Sequence, residues 1–403
     1  MKKRLICLLL LAVCMTVLAG AAEAPGCSPA DKALFEEALA VVETKILKTA
    51  AAYEPGRFPH VTRADGRWET TRNAGWTGGL YVGMLWLGYQ HLDDAKFKQE
   101  AERWTRGLEA RQYDTGTHDL GFLFIPTFIK AYQLTREPYY RQVALQAAAS
   151  LSRRYNPNGF VQAWGRIGDP QQGGRAIIDT MMNLPLLWWA ATEGKAPRYA
   201  EMAEKHALTA LKYLVREDGT SYHVVDFDPA SGALLGQGTK QGFAPDSTWA
   251  RGQAWGIYGF TLAYEYARRS EFRRTAASMA KYFWDNLPAD KVPYWDFDAV
   301  KVEGPDTQRD SSAGAIAAAG FLDLAATAAD PAEAEDYRQK GLAILRGLTA
   351  TCLDRSGQSE GVLLHGCYNR NSGSAVDNSV TWGDYYYHQA LLKALGLLGA
   401  GLY

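Results

Sequence analysis

The chain has 403 residues, of which 47% are hydrophobic, 12% aromatic and 22% charged, and 43 Lys plus Arg against 44 Asp plus Glu give a formal net charge of −1. That balance leaves no broad field of one sign, which argues against a dedicated nucleic-acid binder or a polybasic membrane-surface protein. The composition excludes a disordered, collagenous or coiled-coil chain. Twelve Trp, 22 Tyr and 14 Phe exceed what a core of this size needs. Flat rings beside polar groups suit sugar faces, although core packing accounts for most of them.

The first segment reads as an address rather than as structure. Lys2, Lys3 and Arg4 form a basic stretch, and Leu5 to Leu18 is an apolar run too short to span a bilayer. Ala19-Gly20-Ala21 then offers a small-residue cleavage pattern. The expectation is an export signal over 1–24 and a periplasmic location, with lipoprotein anchoring at Cys27 as the variant. No later run is long and uncharged enough to be a membrane span. Cys7 and Cys14 leave with the signal. Cys352 and Cys367 are then free to pair or to stay as buried thiols, a choice spacing does not make. No H-E-x-x-H and no His pair at i, i+4 occurs, so no metal site is expected.

Apolar positions then recur with helical period, predicting helices near 31–52, 76–92, 94–110, 121–135, 137–155, 179–193, 197–216, 249–268, 271–287, 311–329, 333–354 and 384–402. Strand-like material is confined to Tyr222 to Phe227 and Val292 to Phe297. The helices alternate in character. Gly75 to Tyr89, Gly252 to Tyr264 and Ser312 to Leu324 are rich in Gly, Ala and aromatics. The helices that follow or precede them (Lys96 to Arg111, Tyr199 to Lys212, Ala332 to Arg346) carry a charged stripe. All-apolar helices belong inside and striped ones outside. Six such pairs predict an all-α chain, a single (α/α)6-barrel domain over 28–403. An open solenoid of shorter repeats fits worse. Function is expected where the loops leaving the inner helices converge, since long irregular stretches (53–75, 111–120, 156–178, 217–248, 288–310, 355–383) recur once per pair.

Four clusters in or beside those stretches carry chemistry. Trp76, in Asn73-Ala74-Gly75-Trp76-Thr77-Gly78-Gly79, is either a buried anchor or a stacking platform for a sugar. Asp119, in His118-Asp119-Leu120-Gly121-Phe122, and Asp179, in Ile178-Asp179-Thr180-Met181-Met182-Asn183, both stand where an ordinary helix cap would stand. Asp179 is bracketed by Ile177, Ile178, Met181 and Met182, and apolar surroundings raise a carboxyl's proton affinity as a general acid requires. The last cluster holds His223, Gln241 and Asp246-Ser247-Thr248-Trp249-Ala250-Arg251-Gly252-Gln253-Ala254-Trp255. Arg251 lies in the first turn of a predicted helix, where a cation gains nothing from the dipole. Its partner is a substrate carboxylate or, equally, Asp246. Trp249 and Trp255, six residues apart, do not share a face.

Taken together these motifs resemble the unsaturated glucuronyl hydrolases, glycoside hydrolase family 88. Arg309-Asp310-Ser311-Ser312-Ala313 and Trp382-Gly383-Asp384-Tyr385 extend the resemblance towards the C-terminus. It spans nearly the whole chain after the signal, leaving out Asn369 to Asn378. The resemblance implies an (α/α)6-barrel enzyme without a cofactor. Its partner would be an oligosaccharide with a non-reducing-end 4,5-unsaturated uronic acid, the product left by polysaccharide lyases. It implies Asp179 as general acid/base with Asp119 as its essential companion. Trp76, His118, His223, Gln241, Trp249, Arg251 and Trp255 become substrate-contacting residues, with Arg251 facing the uronate carboxylate. The unsaturated ring is an enol ether, so a proton delivered to C4 leaves a cation at C5 that the ring oxygen stabilises. Water then adds at C5. The alternatives are the related unsaturated rhamnogalacturonyl hydrolases of family 105 and a sugar-binding relative without catalysis. A helical scaffold for protein partners is disfavoured, because the outer helices carry charge where it would need an apolar stripe.

Overall fold

The computed structural model describes residues 27–401; the predicted export signal lies outside the described residues. Along the chain run α1 (Pro29–Ala52), α2 (Gly78–Leu92), α3 (Ala95–Arg106), α4 (Leu120–Phe124), a π-helical turn (Ile125–Ile129) and α5 (Lys130–Thr135). Then come α6 (Pro138–Ser152), α7 (Leu184–Glu193), α8 (Arg198–Leu214), α9 (Ala250–Ala267) and α10 (Ser270–Asp285). The short α11 (Ala299–Glu303), α12 (Ser311–Ala326), α13 (Pro331–Thr351) and α14 (Thr381–Ala394) complete the helices.

The alternation of helix types becomes two concentric rings. α2, α4–α5, α7, α9, α12 and α14 pack each against the next, and α14 returns to α2 to close the inner ring. α3, α6, α8, α10 and α13 each lie outside the inner helix that precedes them, and α1 covers α14. The reason is in the side chains. α2 is buried from Gly78 through Gly88 and α9 from Ala250 through Ala263. α3 buries only Phe97, Ala101, Trp104 and Thr105, one stripe of its surface. Closing so tight a ring requires small residues at the crossings. A Cβ on Gly83 of α2 would lie 2.5 Å from Pro126 and 2.7 Å from Tyr385 of α14, so only glycine lets three neighbours meet there.

Connections from inner to outer helices are short, whereas those running from outer to inner are long. The long loops therefore enter the inner helices rather than leave them, and they gather at the inner helices' N-terminal ends. That corrects the expected direction but keeps the expected place. Short sheets stiffen them. β1 (Phe58–Thr62) pairs with β2 (Trp68–Thr71), and β3 (Tyr155–Asn156) with β4 (Phe160–Val161). β5 (Arg175–Ile177), β6 (Val224–Phe227) and β7 (Leu234–Gly238) form a three-stranded antiparallel sheet with β6 central. The strand expected near Val292 makes only isolated bridges, Tyr294 with Arg309 and Asp296 with Trp249. The helix predicted at 121–135 is interrupted by the π turn, where Pro126 supplies no backbone N–H. Cys27, Cys352 and Cys367 are all free thiols, which answers the pairing question.

At the opposite end of the barrel Lys393 is buried and bonds both carboxylate oxygens of Asp323 at 2.6 Å, with further bonds to the Tyr258 hydroxyl and the Gly401 carbonyl. A buried charge deprived of its partner is costly, whereas replacing both partners by apolar groups is not. Asp323→Ala should therefore lower unfolding free energy by about 3–5 kcal/mol. The double variant Asp323→Leu with Lys393→Met should recover most of that loss, as read from denaturant midpoints.

Candidate active site

Each inner helix delivers a residue to the mouth of the barrel from its N-terminal end. Trp76 precedes α2, Asp119 precedes α4, Asp179 precedes α7, Arg251 lies in the first turn of α9, Asp310 precedes α12 and Trp382 opens α14. The capping role is testable at three of these. Asp310 does cap, accepting from the Ser312 N–H at 3.1 Å and its hydroxyl at 2.5 Å. Asp119 occupies the cap position of α4 without making the cap bond. Asp179 sits in a 3-10 turn (Ile178–Met182) ahead of α7 and likewise caps nothing. Two acids that forgo the commonest use of their position are free for another.

Other groups hold them. Asp119 accepts from the Thr117 hydroxyl at 2.7 Å, and its second oxygen lies 3.3 Å from Nε2 of His118. Nδ1 of His118 bonds Thr180 at 2.8 Å, one residue beyond Asp179. Asn183 bolts the two acid-bearing segments together. Its side-chain oxygen accepts from the Phe122 N–H at 3.0 Å, and its amide reaches the Asp179 carbonyl at 3.5 Å. Gly121 permits that contact, since a Cβ there would lie 2.4 Å from the Asn183 backbone.

The electrostatics separate the two carboxyls. Oδ2 of Asp179 is buried with no hydrogen-bond partner, and its neighbour is the equally unpartnered Nε2 of His223 at 3.6 Å. Nδ1 of His223 accepts from the Lys240 N–H at 3.3 Å, which assigns the ring proton to Nε2, aimed at Asp179. Burial pushes Asp179 up to about 7; the Arg251 charge pulls against that and the Asp119 charge adds to it. Burial, reinforced by Arg251, pushes His223 down to about 3, and burial also lowers His118. Both imidazoles are therefore neutral at pH 7. The one group here that holds a transferable proton near neutrality is Asp179.

The pocket around these acids has aromatic walls of Trp76, Phe122, Trp164 and Tyr368, with His118, Gln241 and Arg251 as the other polar groups. Of the residues the sequence proposed, Trp76, His118, Asp119, Asp179, Gln241 and Arg251 line it. His223 stands behind Asp179. Trp249 lies deeper still, stacked 4.5 Å from the His223 ring and 4.5 Å beneath the Arg251 guanidinium. Trp255 is core, packed 5.2 Å from Phe122 and against Tyr386. Neither Trp249 nor Trp255 is among the residues that line the pocket. For Arg251 it is the expected intramolecular partner that changes, from Asp246 to Asp310, while the residue still lines the pocket. Its charge is matched by Asp310 at 2.6 Å, with the Tyr368 carbonyl at 2.6 Å and the Cys367 carbonyl at 2.5 Å, and Asp246 is exposed and takes no part.

Sequence reasoning missed Phe122, Trp164, Ile177 and Tyr368 as lining residues. Trp164 carries a usable signal, a lone tryptophan in a long polar loop. Tyr368 carries none, because the 360s loop reaches the pocket only through the folded chain; there its carbonyl accepts from Gln241 at 2.7 Å. Among the described residues no three His, Cys, Asp or Glu side chains are placed to hold a metal ion. A larger cavity of ≈ 580 Å³ at the other end of the barrel is mostly apolar and its two acids, Asp323 and Glu335, are already matched by Lys393 and Arg338, so it lacks convergent proton-transfer groups.

Comparison with known proteins gives one consistent picture. Residues 46–399 match the model of Glycosyl Hydrolase Family 88. The chain is 39% identical over 344 residues to an unsaturated glucuronyl hydrolase of Bacillus sp. (strain GL1), covering 84% of this chain and 90% of that one. It is 37% identical to an unsaturated chondroitin disaccharide hydrolase of Streptococcus pyogenes serotype M1, covering 83% and 85%. The crystal structure of the Bacillus sp. GL1 enzyme superposes with a TM-score of 0.86 over 89% of this chain and 96% of its own.

The raised proton affinity of Asp179 has a stability consequence. A carboxyl that binds its proton more tightly folded than unfolded destabilises the fold increasingly as pH rises from about 4, its unfolded value, to about 7. Asp179→Asn should therefore be more stable than the wild type at pH 8, by no more than about 4 kcal/mol. The advantage should vanish near pH 4, as measured by thermal unfolding across that range.

Proposed function

The chain belongs to glycosyl hydrolase family 88, and from that premise and the pocket we propose that it releases a non-reducing-end 4,5-unsaturated uronic acid from lyase-generated oligosaccharides. Its fold, its pocket and its relatives make it a glycosidase of the unsaturated glucuronyl hydrolase kind. The observation that carries the mechanism is the dry, unpaired Oδ2 of Asp179 beside a second carboxyl. The sugar ring lies against Trp76, and the acids face the C4=C5 bond. Asp179 gives its proton to C4, and the resulting cation at C5 is shared with the ring oxygen. Water adds to C5 and returns a proton to Asp179, which ends the step as it began. The C5 hemiketal then opens to a ketone, C1 becomes a hemiacetal carrying the remaining oligosaccharide, and collapse at C1 expels it.

Asp119 contributes by charge. Ionised, it raises the proton affinity of Asp179 through like-charge repulsion. Because water attacks C5 rather than C1, the separation of the two carboxyls does not set the stereochemical outcome as in ordinary glycosidases. The family match favours this reading over rhamnogalacturonyl hydrolysis. The glucuronyl and chondroitin disaccharide relatives support uronate disaccharides of glycosaminoglycan type as the substrate class. The basic-then-apolar leader supports export, with the periplasm as the site of action.

The test follows the double bond. An unsaturated disaccharide should lose its conjugated-alkene absorbance, and early turnover in D2O should place one deuterium on one face of C4, seen by proton NMR. Release of the uronic acid with the double bond intact would overturn the mechanism. Asp179→Asn should abolish turnover, at least the ~10²–10⁴-fold that a positioned acid/base supplies. Asp119→Asn should also be severely impaired, and Trp76→Ala should raise KM more than it lowers kcat.

A further inference from the structure

Each of the two acids has a neutral imidazole beside it, and each imidazole is gripped from behind. His223 presents Nε2 to Asp179 at 3.6 Å, and its Nδ1 accepts from the Lys240 N–H at 3.3 Å. At the other acid the grip is a side chain. Nδ1 of His118 lies 2.8 Å from the Thr180 hydroxyl, and Nε2 lies 3.3 Å from Oδ1 of Asp119. Both His118 and Thr180 are buried. His118 lines the pocket and Thr180 does not. Thr180 follows Asp179 in the chain, and His118 precedes Asp119. A single hydrogen bond therefore joins the neighbour of one acid to the neighbour of the other.

We propose that Thr180 is a positioning residue for the hydration reaction: its hydroxyl donates to Nδ1 of His118, which sets the ring proton on Nε2 and turns it towards Asp119. The direction of the bond follows from counting donors and acceptors. With the proton on Nδ1, the Thr180 hydroxyl hydrogen would be buried with no acceptor among the described residues, and buried donors are as a rule paired. Nε2 would then also point a lone pair at Oδ1 of Asp119. With the proton on Nε2 both faults disappear. The ring stays neutral because burial lowers its proton affinity; Asp119 opposes that effect and Arg154 adds to it. A neutral N–H gives the carboxyl a donor without setting a cation beside the two acids. Asp119 then has a donor facing each oxygen, the Thr117 hydroxyl at 2.7 Å from Oδ2 and the imidazole at Oδ1. The bond from the Phe122 N–H to Asn183 holds the same two segments further along, so Thr180 supplies the lock nearest the acids.

This inference rests on the hydration reading, in which Asp119 is an ionised companion to Asp179. Its first test needs no turnover. Imidazole nitrogen NMR of wild-type enzyme labelled with 15N-histidine, with His118 assigned by comparison with His118→Gln, reads the tautomer directly. The expected ring at pH 7 is neutral, protonated on Nε2, with Nδ1 shifted by an accepted hydrogen bond. A proton on Nδ1, or on both nitrogens, would overturn the proposal. The second test is kinetic. Thr180→Val keeps the shape and removes the hydroxyl, so kcat should fall roughly ten- to a hundredfold, the scale of a misplaced catalytic group, with KM changed far less. The Nδ1 resonance of that variant should move to the position of an unbonded ring nitrogen. Thr180→Ser restores the hydroxyl and should return kcat close to the wild-type value. A valine variant with wild-type kcat, or serine and valine variants that are equally slow, would refute the positioning role. If the valine variant is not recovered folded, Thr180→Ala takes its place, and the wild-type spectrum decides without either. Bleaching of the substrate by wild-type enzyme in the same assay keeps the hydration reading separate. Its absence would refute that reading, whereas an active wild type with an indifferent valine variant refutes only the role of Thr180.

Discussion

One carboxylate oxygen, Oδ2 of Asp179, is held away from water with no hydrogen bond, 3.6 Å from a neutral imidazole. Leaving a buried polar atom unmade costs about 1–3 kcal/mol, and a side chain free to move would turn to solvent. It does not turn because the 3-10 turn that carries it is fixed from several sides. β5 holds its N-terminal side, Thr180 is bonded to His118, and Asn183 is bonded across to Phe122. The closed inner ring supplies the stiffness behind these contacts. Strain of this kind survives only where the surroundings over-determine it.

The barrel was legible because its signal is repeated. Six times over, an apolar helix is followed or preceded by a striped one, and such periodicity reports burial directly. What periodicity does not report is direction, so the end of the ring to which the loops belong emerged only from the fold. Three aspartates at helix starts illustrate the same limit for the site. Asp119, Asp179 and Asp310 look alike in sequence, and only Asp310 caps. What separates them is whether a nearby polar group takes up the acid or the local N–H donors: Thr117 for Asp119, and Asn183 between the two segments. Those partners lie up to 61 residues away.

The tryptophans divide on similar grounds. Trp76 precedes its helix and faces the pocket. Trp249 is the residue before α9 and Trp255 lies inside it, where the surrounding ring leaves no open face. Motif resemblance marked all three as one class, whereas only Trp76 lines the pocket. The separation is geometric. Trp249 stacks against the ring of His223, which stands behind Asp179.

The treatment of Arg251 completes the electrostatic account. A guanidinium beside a general acid is a hazard, since it stabilises the ionised form and takes the proton's place. Arg251 occupies that position and pulls the Asp179 proton affinity down, yet burial wins and the acid stays near 7. Asp310, wholly buried and itself anchored by Ser312, sits 2.6 Å from Arg251 and pairs with its charge. Arg251 also ties α9 to the Cys367–Tyr368 backbone through its bonds to those two carbonyls. Burial thus keeps the proton on Asp179 against an opposing guanidinium, and the carboxylate that pairs with that guanidinium, Asp310, is invisible at the acid's own position in the sequence.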